Sequence, residues 1–408
     1  MRIAHLADMH LGFRQFQRLD ASGVNQREAD VAAAFRRAVD AVIAQRPDAV
    51  VLAGDLFHSV RPTNRAIIEA FTGLRRLREA LPKAPVVLIA GNHDTPRSVE
   101  AGSILKLMVT LGVDVVDDTP RRLDYPDLGL SVLAVPHASL LGERVAGAWR
   151  RDDRFRRNVL VLHPEVPGLF PEGVTDYGGA RVELADLTAG GFDYVALGHY
   201  HIVHEVAPRV WYSGSLEYTS HNIWGERQIE RRKATDRTWA EWREEERHGL
   251  TKGFLVADLE AGSVERVNLP PSRRVIDLEW LDAAGMTAAE LDSAIHSRLA
   301  GVPAGVDAAV VRLVVLNVPG ALAHALNHEA VRPWRAAALH LQLDLRRPEP
   351  AERLVGVGAP TSAHPLTEVV AEYLARRPLD ADLDRARLVE LGRGYLDEVE
   401  RALLEGER

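Results

Sequence analysis

Short apolar runs alternate with helical segments from residue 1 to about residue 220. Each run is four to six residues long, mostly apolar on both faces, and ends in a polar cluster. Central strands that are covered by other layers have this pattern. The runs span residues 3–7, 49–53, 86–90, 130–135, 159–162 and 194–197. The alternation predicts a layered α/β architecture.

The segments between the runs have the periodicity of amphipathic helices. Val31, Phe35, Ala38 and Val42 share one helical face, and Pro47 ends that pattern. A similar pattern predicts a helix over residues 62–80. Helices of this kind would cover one face of the sheet.

A length of 408 residues predicts two or three domains. A strand pair at 254–259 and 264–269 precedes Pro270 and Pro271, which mark a boundary. A β-α-β-like pattern then covers residues 274–347, and a Pro-rich stretch separates it from two C-terminal helical patterns. We therefore expect domains at 1–270 and 271–347, followed by a helical segment at 361–408.

The chain contains no cysteine, which excludes disulfides, zinc thiolate sites, iron–sulfur clusters and cysteine nucleophiles. Any metal must be held by His, Asp, Glu or Asn. A formal net charge of -8 argues against a protein that coats nucleic acid, although a local basic strip or bound cations could still receive a phosphate backbone. A helix needs about 18 apolar residues to span a bilayer, and every apolar run in this sequence is much shorter. The N-terminus lacks the features of a signal peptide. We expect a cytoplasmic protein without a membrane anchor.

Five polar motifs follow apolar runs of the predicted sheets. They are Asp8-Met9-His10, Gly54-Asp55-Leu56-Phe57-His58, Gly91-Asn92-His93-Asp94, the single His163, and Gly198-His199-Tyr200-His201. Ligands of open α/β sheets collect at the carboxyl ends of the strands, so we expect these motifs to converge. Imidazole and carboxylate groups together suit Mn, Fe or Zn, and a carboxylate can bridge two ions. The motifs therefore predict a site for two metals.

In this order the motifs resemble the calcineurin-like metallophosphoesterase superfamily. The stretches around Asp55 and Asn92, together with Tyr212-Ser213-Gly214-Ser215-Leu216-Glu217-Tyr218-Thr219, are similar to the SbcD-type and meiotic-recombination nucleases of DNA double-strand-break repair. The resemblance implies a layered β-sandwich metallophosphoesterase domain flanked by helices, a small α/β capping domain and C-terminal helices.

The resemblance also implies roles for individual residues. The implied metal ligands are Asp8, His10 and His201 for one ion, Asp55 as the bridge, and Asn92, His163 and His199 for the other, with Mn²⁺ the favoured metal. His93 would be the catalytic histidine that protonates the leaving sugar oxygen, with Asp94 orienting its ring. The alternative for Asp94 is a turn residue that bonds its own backbone. His58 would position the phosphate, or only support the ligands.

The implied activity is a metal-dependent exonuclease or endonuclease on DNA ends. The implied partners are DNA, an SMC-like ATPase of the SbcC type that holds the C-terminal helices, and a second copy of the chain. Helices over residues 64–81 and 98–111 are candidates for the dimer contact or for core cover. The Arg- and Trp-containing segment 226–248 reads as an exposed loop and amphipathic helix that is either solvated or in contact with DNA.

The metal site fixes the reaction type and leaves the substrate open. One alternative is a phosphodiesterase or phosphatase that acts on small nucleotides or phosphoproteins. A noncatalytic scaffold is the other, but loss of metal ligands would be its signature, and all seven are present.

Overall fold

The computed structural model describes residues 1–96, 102–142, 149–170, 178–233 and 252–348, with short pieces at 384, 386–391 and 394–395. Met1–Arg346 form one compact unit, and Arg347–Arg408 form a second. Within the second unit, residues 386–391 are helical. The helical pattern expected around residues 366–374 lies outside the described residues, as does most of the pattern that begins at residue 388.

Two six-stranded sheets form the larger part of the first unit. The first sheet has the spatial order Ser263–Leu269, Lys252–Asp258, Arg2–Leu6, Ala49–Leu52, Val86–Ile89 and Asp114–Val116. The second has the order His204–Ala207, Val210–Tyr212, Tyr194–Leu197, Arg157–Leu162, Leu130–Val135 and Arg121–Tyr125. Four consecutive strands of each sheet are parallel, so their carboxyl ends lie along one edge.

An apolar layer joins the two sheets into a sandwich. Val51, Ile89, Val132, Val161 and other inward-facing strand residues form one buried cluster. Alternate residues of the first sheet, such as Leu52, pack on the other side against the flanking helices. Since these strands are covered on both faces, their continuous apolar sequence follows from their position. The layered α/β prediction is confirmed.

Helices cover the outer faces and connect the strands. The α-helices are Gln26–Gln45, Asn64–Ala80, His137–Leu140, Leu184–Thr188, Ile223–Lys233, Ala288–Ala300, Gly320–Ala325 and His328–Ala337. Ile104–Leu111 and Pro126–Leu128 are 3₁₀ helices. Residues 104–111 thus differ from the α-helix expected there, and residues 98–101 lie outside the described part. No helix of the described residues is long and apolar enough to cross a membrane.

A third, smaller sheet follows Pro271. Val275–Asp277 and Leu281–Asp282 both pair in parallel with Val310–Leu316, which also pairs with His340–Leu345. Its residues form their own apolar cluster with Leu291, Ile295 and Leu299 of one helix. This is the β-α-β arrangement expected for the region after residue 271.

Candidate metal centre

The candidate ligands extend from the carboxyl ends of five parallel strands. Asp8 and His10 follow Arg2–Leu6, and the loop with Asp55 and His58 follows Ala49–Leu52. The other three sources are Asn92 and His93 after Val86–Ile89, His163 after Arg157–Leu162, and His199 and His201 after Tyr194–Leu197. Three strands belong to the first sheet and two to the second, so the site lies where the edges of both sheets meet.

Hydrogen bonds join these loops directly. The amide of Asp8 donates to the carbonyl of Gly54 at 3.1 Å, and that of His10 donates to the carbonyl of Asp55 at 2.9 Å. The Asp55 carboxylate accepts from the amide of His93 at 2.9 Å. Across the sandwich, the Asp8 carboxylate accepts from the amide of His199 at 3.0 Å. The ligands are therefore held by main-chain contacts between loops that are distant in sequence.

Four candidate ligands have backbone in the left-handed region. The φ angles are 54° for Asp8, 47° for His10, 52° for Asp55 and 101° for His199. This conformation is uncommon for residues with a Cβ atom, and strained backbone concentrates at functional sites. The main chain at these four residues is bent to direct their side chains into one space.

Two glycines permit the close approach of the loops. A Cβ atom at Gly91 would collide with the Asp55 carboxylate, and one at Gly198 would collide with the carbonyl of Ala53 and the ring of His163. Any other residue would have to move a ligand or its supporting main chain. The glycines that precede Asn92 and His199 thus serve packing at the site.

One group of ligand atoms lies around His10. Asp8, His10 and His201 offer atoms within 4.8 Å of one another. The Nε2 atoms of His10 and His201 face each other at 2.9 Å. Two imidazole nitrogens directed at one point, with a carboxylate beside them, are suitable for one divalent ion.

A second group lies around His163. Its Nε2 atom is 3.0 Å from Asn92 Oδ1 and 3.3 Å from Asp55 Oδ2. His199 Nδ1 is 3.3 Å from the same Asn92 oxygen. Asp55 Oδ2 also lies 3.7 Å from His10 Nε2, so this carboxylate stands between the two groups. That position suits a bridging ligand.

The electrostatics of the cluster favour bound positive charge. Burial lowers the pKa of the His163 imidazole, but the Asp55 and Asp8 carboxylates raise it more strongly, to about 9. Burial raises the pKa of Asp55, yet the charges of His163, His93 and His10 keep it well below its ordinary value. Buried carboxylates among imidazoles are a donor set for divalent cations. The residues present therefore fit two such ions.

His93 and His58 lie beside the first group. Their rings stack with centroids 5.1 Å apart, and the His93 ring lies 4.8 Å from that of His10. His93 Nδ1 is 2.8 Å from the carbonyl of His58. Because a carbonyl can only accept, Nδ1 carries the proton and Nε2 is the nitrogen at which the protonation state can change.

Asp94 bonds backbone, as in the alternative expected for it, and its partners include amides of a second loop. Its carboxylate accepts from the amides of Leu56, Phe57 and Gly91, and the ring of His93 is oriented by the His58 carbonyl instead. Burial and the charge of Asp55 raise the pKa of Asp94 to about 7, although the three amides act in the opposite direction. Asp94 thus fastens the Asp55 loop to the Asn92 loop.

The sequence reasoning missed a buried polar pair behind His201. Glu226 is 2% exposed and Lys252 is 1% exposed, and their side chains are in contact. We expected residues 226–248 to form an exposed loop and helix. The described part instead belongs to the helix Ile223–Lys233, with Glu226 and Arg227 buried, and residues 234–251 lie outside the described residues. No sequence signal distinguished Glu226 from its charged neighbours.

Comparisons with known proteins match the N-terminal half of the chain. Residues 1–203 match the family described as calcineurin-like phosphoesterase. The chain is 30% identical over 204 residues to the "DNA double-strand break repair protein Mre11" of Saccharolobus solfataricus, covering 49% of each chain. A protein of the same name from Thermoplasma acidophilum is 30% identical over 227 residues, which are 53% of this chain and 57% of the relative. The chain thus spans about half the length of the curated relatives it matches.

Proposed function

We propose that this chain, whose N-terminal half is a calcineurin-like phosphoesterase domain, is a metal-dependent nuclease that cuts DNA with two divalent ions. The observation that carries the proposal is the convergence of nitrogen and oxygen ligands from five strand ends, with His93 and His58 beside them. The relatives named as DNA double-strand break repair proteins support DNA as the substrate.

The proposed ligand sets follow the two groups of atoms. Asp8, His10 and His201 would hold one ion, and Asn92, His163 and His199 the other, with Asp55 between them. Mn²⁺ is the metal that we propose, on the resemblance to the double-strand-break repair nucleases, since the donor set itself also admits Fe, Zn and Co. When bound, the ions would polarise the phosphodiester and acidify an attacking water.

The histidines beside the ligands would act on the substrate itself. His93 Nε2 would hold the proton that the leaving sugar oxygen takes up, because its Nδ1 proton is engaged by the His58 carbonyl. The His58 ring, stacked on that of His93, would contact the phosphate. Asp94 would act indirectly by keeping the Asp55 and Asn92 loops together.

The domain boundaries and partners also belong to this proposal. We propose a nuclease domain at 1–270, a capping domain at 271–347, and a segment at 361–408 that docks on an SMC-like ATPase of the SbcC type. We also propose a homodimer. Ile68, Leu107 and Val109 are 64%, 38% and 53% exposed on adjacent helices, which supports this surface as the dimer contact.

Cleavage assays with the purified full chain test the activity. We expect Mn²⁺-dependent cleavage of linear and hairpin-ended DNA, its loss in His93→Ala, and its loss on chelation. A small phosphodiester and a phosphoprotein, assayed in parallel, cover the alternative substrates. Hydrolysis of the small ester alone would point to a different substrate, whereas DNA cleavage that survives in His93→Ala would refute the assigned role of that residue.

A further inference from the structure

Behind His201 lies a buried pair of opposite charges, Glu226 and Lys252. The Lys252 ammonium contacts the Glu226 carboxylate and donates to Ser215 Oγ at 3.2 Å. Burying both charges costs desolvation free energy, and apolar residues of similar size are often as stabilising as a buried ion pair. Stability alone therefore gives a weak reason for such a pair at this place.

The pair contacts His201 from two directions. Lys252 donates to the carbonyl of His201 at 3.1 Å, which fixes the main chain of that residue. Glu226 Oε2 lies 3.8 Å from His201 Nδ1, which is longer than a hydrogen bond but close enough for the carboxylate charge to act on that nitrogen. The other ring nitrogen, Nε2, faces His10 Nε2. The two nitrogens of His201 thus face a carboxylate on one side and the metal ligands on the other.

A carboxylate opposite one imidazole nitrogen has a known effect on a metal ligand. It favours the tautomer with the proton on Nδ1, leaves the Nε2 lone pair for the ion, and makes the imidazole more basic. We propose that Glu226 is a positioning residue that sets the tautomer and orientation of His201 as a metal ligand, with Lys252 holding Glu226 in place. This inference rests on the proposed two-metal function.

The helix that carries Glu226 is anchored on its other side. Trp224 donates its indole N–H to Gln342 of the third sheet at 2.6 Å, and the Arg312 guanidinium lies 4.7 Å from the centroid of the Trp224 ring. On the same helix, Glu230 accepts from the Tyr218 hydroxyl at 2.9 Å. Glu226 therefore approaches His201 from a fixed element, as a positioning role requires.

Mn²⁺ titration of the chelated full-length protein tests the proposal. In Glu226→Gln, which keeps the side-chain size, we expect the affinity for one of the two ions to fall about 10- to 100-fold. Glu230→Gln is the matched control. Its carboxylate also lies near Lys252, at 3.4 Å, and it contacts Tyr218 and Arg227, whereas Glu226 is the carboxylate beside His201 Nδ1. We expect the control to bind both ions as the wild type does.

A double variant, Glu226→Gln with Lys252→Met, covers the case in which the single change leaves Lys252 unpaired and the protein unfolds. It too should lose affinity for one ion while keeping the other. Wild-type affinity in either Glu226 variant, or an equal loss in Glu230→Gln, would overturn the proposal. Since the readout is metal affinity, a wild type that binds two ions but cuts no DNA would refute the nuclease function and leave the positioning role to be decided by the titration.

Discussion

At the scale of single residues, Asp55 and His93 are neighbours with separable tasks. The Asp55 carboxylate lies between the two ligand groups and accepts from the amide of His93. We expect Asp55→Ala to lose both bound metal and cleavage, because neither ion keeps its bridge. We expect His93→Ala to lose cleavage and keep its metal, because its ring only lies beside the ligands. Metal analysis after dialysis, paired with a cleavage assay, separates the two outcomes.

The bound metal of the two variants decides between the two roles. Two bound ions in Asp55→Ala would contradict the bridging position of this carboxylate. Metal loss in His93→Ala would place that histidine among the ligands.

His5 makes the stability of the fold depend on pH. Its ring is buried with Nδ1 2.9 Å from the Tyr194 hydroxyl, and burial lowers its pKa to about 3, against a smaller opposing effect of the Leu197 backbone. Below its unfolded pKa of about 6.5, the unfolded chain takes up a proton that the folded chain does not. The His5 contribution therefore lowers the free energy of unfolding as pH falls from about 6.5 toward 3, by at most about 1.4 kcal/mol per pH unit.

Replacing His5 by Gln, which does not titrate, should flatten this dependence. The measurement is denaturant unfolding of chelated wild type and His5→Gln at a series of pH values. Other groups titrate in both proteins, so the difference between the two curves isolates His5. Parallel curves would show that its imidazole does not titrate differently in the two states.

At the scale of secondary-structure elements, Thr63 determines where the helix Asn64–Ala80 begins. Its hydroxyl oxygen accepts from the amide of Ala66 at 3.1 Å and donates to Glu28 of the preceding helix at 2.7 Å. We expect Thr63→Ala to lower the free energy of unfolding by about 1 kcal/mol, because a helix amide loses its cap. Thr63→Ser keeps the hydroxyl and should change the free energy of unfolding little. Urea unfolding of the wild type and both variants measures these differences. A Thr63→Ala variant as stable as Thr63→Ser would contradict the capping role.

The strands that the sequence predicted best are those covered on both faces. The runs at 130–135 and 194–197 match the strands Leu130–Val135 and Tyr194–Leu197, because a central parallel strand is apolar throughout. The edge strand Ser263–Leu269 was predicted, but two other edge strands were not. Arg121–Tyr125 and His204–Ala207 each pair on one side only and carry polar residues, so neither has a continuous apolar pattern.

The sequence predicted the ligands of the candidate site but not the contacts that support them. Its motifs follow the apolar strands, so their convergence follows from the parallel order of the sheets. Two of the three partners of Asp94 could not be predicted, because the amides of Leu56 and Phe57 belong to a loop more than thirty residues away. Glu226 and Lys252 belong to a charged stretch and a strand that only the folded chain brings together. Contacts of this kind depend on tertiary structure and leave no local pattern.

At the scale of the whole molecule, the third sheet contacts the sandwich within the first compact unit. The rings of Phe16 and His340 stack at 4.1 Å, and Arg273 forms an ion pair with Asp30 at 3.1 Å. On the sandwich side, Phe16 and Asp30 both belong to the chain segment between the candidate ligands His10 and Asp55. The position of the third sheet is consistent with the capping role that we propose for residues 271–347.

Removal of all residues after Pro360 tests whether the proposed ATPase binds the C-terminal segment, separately from metal binding and folding. The apolar clusters of the sandwich and of the third sheet lie within residues 1–346. We therefore expect a folded protein that still binds metal but no longer co-purifies with the proposed ATPase partner. The control is Ile68→Glu with Leu107→Glu, which places charge on the proposed dimer surface. It should give a monomer that still binds the ATPase, measured by light scattering and co-purification. ATPase binding that survives the truncation would move the docking surface into residues 1–360, and a dimer that survives the two glutamates would move the dimer contact away from this surface.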